Sequence, residues 1–237
     1  MRAQYIDHMG DDLAVVNAAR VSFDKVSSYV TLDEDGNEVE LPEVEGFNSK
    51  FFETPKVLRE KDVKLISYLA KHDHWTPFAH TAIKMRMAAP VPIRTQCFKH
   101  KVGMVENEES RRYISVEPEI YVPLFRQATA NKKQGSGDVF TGKEQYALQE
   151  DYERLTKAAV EAYKDFLARG VCEEQARFLL PQGAVVNWIW TGNLVSFANF
   201  YKKRAASDAQ KEVQLLAKEV DRIIAPLFPH SWKALTA

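Results

Sequence analysis

Apolar positions along the 237-residue chain change their spacing several times, and each change predicts an element. A short apolar segment ends in NAARVSF (17–23) and leads into YVTLDEDGNEVELPEV, which alternates around Asp35-Gly36 like an exposed hairpin. It reads as an excursion from the core near residues 28–46. Thr54 and Pro55 then supply an N-cap and a first helical residue, and Val57, Val63, Leu65, Ile66 and Leu69 carry an approximate helical stripe to about Lys71. TAIKMRMAAP has period two and predicts a strand stopped by Pro90. A short helix is expected from Pro92 to about Lys101, because proline is tolerated in a first turn.

Further on, YISVEPEIYVP reads as extended chain, and the Gly-, Ser-, Lys- and Asn-rich segment near 127–143 as a mobile loop. A long helix is predicted over Glu144 to Ala168, capped by Gly170 just past its end. CEEQARFLLP predicts a second helix ending near Pro181, AVVNWIW a buried strand, and NLVSFANFYKKR another helix. SDAQKEVQLLAKEVDRIIAP forms the last, opened by a Ser207/Gln210 capping box. Strands and helices mix without a regular strand-helix-strand rhythm. That predicts a single α+β domain over 1–237: an antiparallel twisted sheet flanked by helices, with long C-terminal helices.

Charge narrows the function classes. With 32 Lys and Arg against 33 Asp and Glu, the formal net charge is −1, so anion binding has to come from local clusters rather than a global field. That weighs against a nucleic-acid module or a lipid-surface binder. The two cysteines, Cys97 and Cys172, lack a C-x-x-C partner and fit a reducing compartment. MRAQYIDHMGDD lacks the apolar centre of a signal peptide, and no apolar run is long enough to span a bilayer, so the expected location is cytoplasmic.

One local cluster stands out. KHKVGMVENEESRRY (99–113) gathers Lys99, Lys101, Arg111 and Arg112 around Glu106, Asn107, Glu108, Glu109 and Ser110. An ordinary solvated helix with opposite charges three or four residues apart accounts for such a run; so does a binding surface for anions. In KHDHWTPFAH, His72 and His74 share a face if extended, but Pro77 bends the chain before His80 and no Cys or Glu completes a ligand spacing, so no metal is expected. The histidines either cap turns beside a buried Trp75, or His74 and Thr76 hold an organic ligand. Cys97 and His100 fall on adjacent helical turns, an arrangement that lowers a thiol's pKa, while Ile93 on the same side favours a buried, inert cysteine. Gln96, Lys99 and His100 share another flank and together suit a ligand with carbonyl and phosphate groups. Asn193 and Arg204 point the same way, roughly 16 Å apart along a helix, so they serve either an extended ligand or, separately, a cap and a surface charge. Arg177 in the apolar ARFLLP asks for an anion: a core carboxylate or a phosphate.

Taken together these segments resemble the flavin-dependent thymidylate synthases. That family's hallmark is Arg-His-Arg followed by Asn-Glu-x-Ser-x-Arg-Tyr, standing here as KHK and NEESRRY. The resemblance extends through GDDLAVVNAARVSF, KHDHWTPFAH, AAPVPIRTQCFKHK, ARFLLP and TGNLVSFANFYKKRAASDAQKE. It implies methylation of dUMP to dTMP, with methylenetetrahydrofolate as carbon donor, reduced FAD as hydride source and NADPH recharging the flavin. It also implies a homotetramer with sites shared between subunits, and no obligatory cysteine attack.

By the same resemblance, Ser22, His74, Thr76, Lys99, His100, Lys101, Asn107, Glu108, Asn193 and Asn199 fall near the flavin. Gln96, Lys99, Glu108, Glu109, Ser110, Arg111, Arg112, Arg177 and Arg204 fall at or beside the positions that hold dUMP. Arg204 matches the residue that polarises the uracil, and Ser110 is expected to position substrate rather than attack it. The chain departs from the pattern where Lys99 and Lys101 replace two planar arginine forks, where the VGMVE spacer is one residue longer, and at Ala79 and Val195, where Glu and Arg are common. These departures predict a weakly held FAD. A relative that kept the dUMP pocket but lost productive flavin chemistry is the competing reading.

Overall fold

The computed structural model describes residues 1–41, 56–114, 116–129 and 135–237. The chain divides into two compact units. The first comprises Met1–Asp7, Lys84–Gly192 and Phe200–Asp221, and the second His8–Ile83, Asn193–Asn199 and Arg222–Ala237.

The first unit is organised by a four-stranded sheet in the order β1 (Arg2–Met9), β4 (Ala82–Pro90), β6 (Val185–Gly192), β5 (Met104–Glu108). This is the expected α+β class with an antiparallel sheet flanked by helices. β1 was not legible in the sequence, because RAQYIDHM is exposed at most positions and lacks a clean alternation. β5 pairs antiparallel with β6, placing Glu108 opposite Trp188, Glu106 opposite Trp190 and Met104 opposite Gly192. Directly opposed residues project to one side of a sheet, so Glu106 and Glu108 share the face of the buried Trp188 and Trp190. That face receives α4 (Val91–Cys97): Phe98, just beyond it, meets Trp188 edge-on at 5.7 Å, and Trp188 meets Trp190 at 6.5 Å.

The expected helix over 92–101 is therefore shorter than its pattern. Phe98 still donates to the Arg94 carbonyl (3.0 Å), but Lys99 and His100 donate one residue closer, to Gln96 and Cys97, and the chain leaves the helix. Gly103, at φ +68°, then turns it into β5, so pairing with β6 overrides the helical spacing of Cys97 and His100. The cluster at 99–113 is accordingly a turn, an edge strand and a second turn, not a solvated helix.

α5 (Gly142–Ala168) matches the predicted long helix, with Gly170 in the left-handed conformation at φ +85° beyond its end. CEEQARFLLP splits into α6 (Glu173–Ala176) and a 3-10 turn at Arg177–Leu179. Of the loop expected near 127–143, residues 130–134 lie outside the described residues; the flanking chain pairs across Arg126 and Val139, and Gly137 donates to the Gln127 carbonyl at 2.8 Å. Of the extended reading of 113–123, the chain around Ile120 pairs with Ala184, whereas Tyr113 lies in a turn and residue 115 lies outside the described residues. α7 (Leu194–Arg204) and α8 (Lys211–Leu227) follow β6. The Ser207/Gln210 box is not formed: α8 starts at Lys211, and the Gln214 amide instead reaches back to the carbonyls of Ala209 (2.7 Å) and Ser207 (3.4 Å).

The second unit packs α1 (Asp12–Arg20), α2 (Glu60–Lys71), α3 (Thr76–Ala79) and α9 (Pro229–Thr236) around Val15, Val16, Ile66, Phe78 and Trp232. The predicted hairpin is present as β2 (Val30–Leu32) and β3 (Glu38–Glu40); Gly36 has φ +83° and the Asp33 carboxylate accepts from the Asn37 backbone at 2.7 Å. α2 begins later than its pattern, at Glu60. Thr54 and Pro55 lie outside the described residues, and Val57 exchanges backbone hydrogen bonds with Val30 (2.8 and 3.0 Å) as extended chain.

Two adjacent carboxylates organise this unit. Asp11 caps α1 by accepting from the Ala14 backbone at 2.8 Å, and also accepts from the Tyr29 hydroxyl at 2.9 Å. Burial and then that carboxylate raise the Tyr29 pKa above its ordinary value. Asp12 is buried and turns the other way, accepting from the backbone N–H groups of His230 (2.8 Å) and Ser231 (2.9 Å) in the first turn of α9. Asp12→Ala leaves one buried and one part-buried donor without an acceptor and is expected to destabilise the protein by about 2–4 kcal/mol, with Asp12→Asn intermediate. Urea unfolding followed by circular dichroism checks this ordering.

Candidate active site

A cavity of about 450 Å³ in the first unit collects four of the charged residues singled out in the sequence, Glu108, Glu109, Arg111 and Arg177. Its wall includes Arg94 from α4, Glu108 from β5, then Glu109, Ser110 and Arg111, and Arg177, Phe178 and Gln182 from the chain preceding β6. The β5–β6 register puts Glu108 on the α4 face, where Arg94 Nε meets its carboxylate at 2.9 Å. Burial raises the Glu108 pKa, the Arg94 charge opposes that rise, and neighbouring Glu109 adds to it. Glu109 lies one residue past the strand, where its backbone N–H still donates to the Asn187 carbonyl (2.9 Å). Its carboxylate accepts from the backbone and the amide of Asn187 at 3.2 and 3.0 Å, so Glu109 is a clamp between strands.

Arg111 donates to the Val116 carbonyl and stands 4.0 Å from Glu109. Arg112 is exposed, pairs with the Glu174 carboxylate at 3.0 Å and lies over the Tyr113 ring, and its backbone N–H donates to Ser110 Oγ at 3.3 Å. Arg177 is half-exposed and donates to the Glu174 carbonyl at 3.2 Å. Of the two anions weighed for Arg177, a core carboxylate is not its partner among the described residues, because its helix breaks into a 3-10 turn at the surface.

A second cluster surrounds Arg204 at the end of α7. Its Nε donates to His100 Nε2 (3.1 Å), and its Nη2 to the Gln96 carbonyl (3.2 Å). The Gln96 amide donates to Gln210 at 2.6 Å. Burial, reinforced by the charges of Arg204 and Lys203, lowers the His100 pKa to about 4, so the imidazole is neutral at neutral pH. The three residues of KHK diverge. Lys99 is exposed with no side-chain partner among the described residues, His100 turns inward, and Lys101 pairs with Glu106 and lies 5.3 Å from the Phe98 ring. Asn107 points away from the tryptophan face and is exposed.

The remaining candidates lie in the second unit. Ser22 is exposed in a 3-10 turn at Val21–Phe23, followed by Asp24 in the left-handed region at φ +49°. His74 and Thr76 are exposed after a turn in which Asp73 has φ +57°. His72 and His74 stand 6.4 Å apart beside Tyr68, and Trp75 is exposed rather than buried. Asn193 caps α7, accepting from the Ser196 backbone (2.9 Å) and hydroxyl (2.8 Å), which is the capping role weighed for it above. Asn199 is exposed on α7. Among the described residues no group of three or more His, Cys, Asp or Glu is arranged to hold a metal, and no helix is long and apolar enough to cross a membrane.

Arg94 was missed at the sequence level. Its signal was the one that drew attention to Arg177: a lone cation in an apolar stretch, here VPIRTQC. Glu174, which ties Arg112 to Arg177, carries no such signal in EEQ.

The sequence profile described as thymidylate synthase complementing protein matches residues 4–230. Flavin-dependent thymidylate synthases from Thermus thermophilus and Thermosipho africanus are each 32% identical over 230 residues, covering 97% of this chain and 73% and 88% of theirs. The counterpart from Kosmotoga olearia is 33% identical over 233 residues, 97% of this chain and 87% of its own. Among solved structures, a UMP/dUMP methylase, PolB from Streptomyces cacaoi, bound with 5-Br dUMP, superimposes with a TM-score of 0.75 at 26% identity, over 99% of this chain and 94% of that one.

Cys97 is fully buried, and burial pushes its thiol up to about 12, while Cys172 is exposed. A thiolate at Cys97 forms only near that pH, far above neutrality. Native protein at pH 8 is therefore expected to expose one thiol to Ellman's reagent, and two after denaturation; two fast-reacting thiols in the native protein contradict the burial.

Proposed function

The chain belongs to the thymidylate synthase complementing protein family, and from that premise we propose that it methylates dUMP to dTMP as a flavin-dependent thymidylate synthase. The observation that carries this reading is the convergence of Glu108, Glu109, Ser110, Arg111 and Arg177 on one cavity, all from segments the family resemblance singles out. A cavity of about 450 Å³ suits a nucleotide-sized ligand. Arginine forks at its wall suit the phosphate and the uracil oxygens.

The donor set also fits FAD. Lys99 and Asn107 are exposed, with no side-chain hydrogen bond among the described residues, and offer a cation and an amide to a dinucleotide. His74 and Thr76, considered by themselves in the second unit, are likewise exposed. When bound, the flavin supplies the hydride that turns a transferred methylene into a methyl group. The protein's part is binding and polarisation. Arg177, Arg111 and Ser110 hold the anionic substrate, and Arg94 keeps the Glu108 carboxylate compensated beside it. Arg204 stabilises the charge that develops on the uracil as its C5 becomes nucleophilic. Cys97 takes no part, being buried with a raised pKa.

We extend the proposal to methylenetetrahydrofolate and NADPH as co-substrates, to a single catalytic domain over 1–237, to a cytoplasmic location and to a homotetramer with shared sites. The exposed apolar side chains of Val105, Tyr113, Val116 and Phe178, close in sequence to the cavity residues, support burial in an assembly.

Tritium release from dUMP labelled at C5, in the presence of methylenetetrahydrofolate, FAD and NADPH, tests the activity. Perturbation of the flavin spectrum by dUMP without tritium release favours the nucleotide-binding relative. FAD is expected to wash out on desalting, and the pair Lys99→Arg and Lys101→Arg to tighten it several-fold by restoring two planar forks. Stoichiometric flavin surviving desalting in the wild type contradicts that expectation.

A further inference from the structure

Arg204 presents five N–H donors in a rigid fork, and the protein has already engaged two of its three nitrogens. Nε is bound to His100 and Nη2 to the Gln96 carbonyl, while Nη1 has no protein partner among the described residues. We propose that His100 is the positioning residue for Arg204: its Nε2 lone pair and the Gln96 carbonyl together fix the guanidinium and leave the Nη1 N–H groups available to the uracil of bound dUMP. This rests on the reading of Arg204 given above. It assigns to His100 a task distinct from flavin binding, for which only its Nδ1 side is left.

The imidazole is built into place from three directions. Its backbone N–H donates to the Cys97 carbonyl at 3.0 Å, which anchors the turn to α4. Its ring stands edge-on to Phe200 at 5.2 Å and 82°, and Phe200 stands edge-on to Trp190 at 4.9 Å within the buried core. Arg204 lies one helical turn after Phe200, so the same helix supplies the aromatic backing and the guanidinium. The charged groups acting on the ring are Arg204 and Lys203, both cationic, and with burial they keep it neutral and able to accept. A guanidinium without such a brace samples several rotamers, and a displacement of about 1 Å at a reacting centre costs on the order of a hundredfold in rate.

The test is a double-mutant cycle with FAD held at saturation. His100→Leu removes the acceptor and is expected to lower kcat about tenfold, within the bound for misplacement, with a smaller change in the KM for dUMP. His100→Gln keeps an acceptor oxygen and is expected to recover a substantial part of the loss. In an Arg204→Lys background, which lacks the Nε donor, His100→Leu is expected to cost little more. The proposal is overturned if His100→Leu loses the same factor in both backgrounds, if Gln is no better than Leu, or if the loss disappears as FAD is raised. The imidazole ¹⁵N resonances of His100 give a readout independent of turnover: an unprotonated Nε2 that shifts in Arg204→Lys supports the pairing, and a protonated Nε2 overturns it. Wild-type protein that neither binds dUMP nor releases tritium sinks the functional reading before any variant is made, and is so distinguished from these outcomes.

Discussion

The register of β5 against β6 decides where the carboxylates of the cavity lie. Opposing Glu108 to Trp188 and Glu106 to Trp190 puts two carboxylates on the face covered by α4, where Arg94 and Lys101 meet them. A slip of one residue exchanges the two faces, sending Asn107 and Val105 inward and both carboxylates out. What resists the slip is mainly apolar: Trp188 and Trp190 are buried, Phe98 locks onto the first and Phe200 onto the second. The Asn187 clamp on Glu109 adds a polar pin at the strand's end. The placement of both carboxylates thus depends on an aromatic ladder, whose Phe98 ring is itself flanked by Arg94 at 5.2 Å and Lys101 at 5.3 Å.

Within that frame the cations are held to different degrees. Arg94 is committed to a half-buried carboxylate, whereas Arg112 and Lys101 make exposed pairs of the kind that contribute little to stability and are readily exchanged for another anion. Arg177 is held only by a carbonyl, and Lys99 by nothing in the described protein. In the proposed site a ligand phosphate would meet Arg177 at its weak carbonyl tie and leave the Arg94–Glu108 pair intact. A formal net charge of −1 is compatible with this arrangement, because the local excess of donors matters at contact distance while the net field matters only at long range.

Elements whose pattern agrees with their packing were legible in the sequence: the period-two strand ending at Pro90, the AVVNWIW strand, the long helix closed by Gly170 and the Asp-Gly hairpin. Elements were misplaced where a long-range partner overrides local spacing. The helix after Pro92 stops early because the chain has to return to β6, and α2 starts late because Val57 bridges to Val30. Site residues followed the same division. Motif residues at the cavity wall were found, since charged types crowded into a short run are visible as such. The tie between His100 and Arg204, 104 residues apart, was not, because spacing along a chain says nothing of a contact between the end of one helix and the turn after another. Asn193 shows the converse, its structural use as a cap being the more local of its two readings.

The bond from Asp12 to the first turn of α9 spans 218 residues. During synthesis the amino-terminal helices of the second unit leave the ribosome early, but their carboxylate latch has no receptor until α9 emerges. The nascent chain must then carry Val15, Val16 and Ile66 incompletely covered for most of its translation, a period in which a chaperone has reason to attend it.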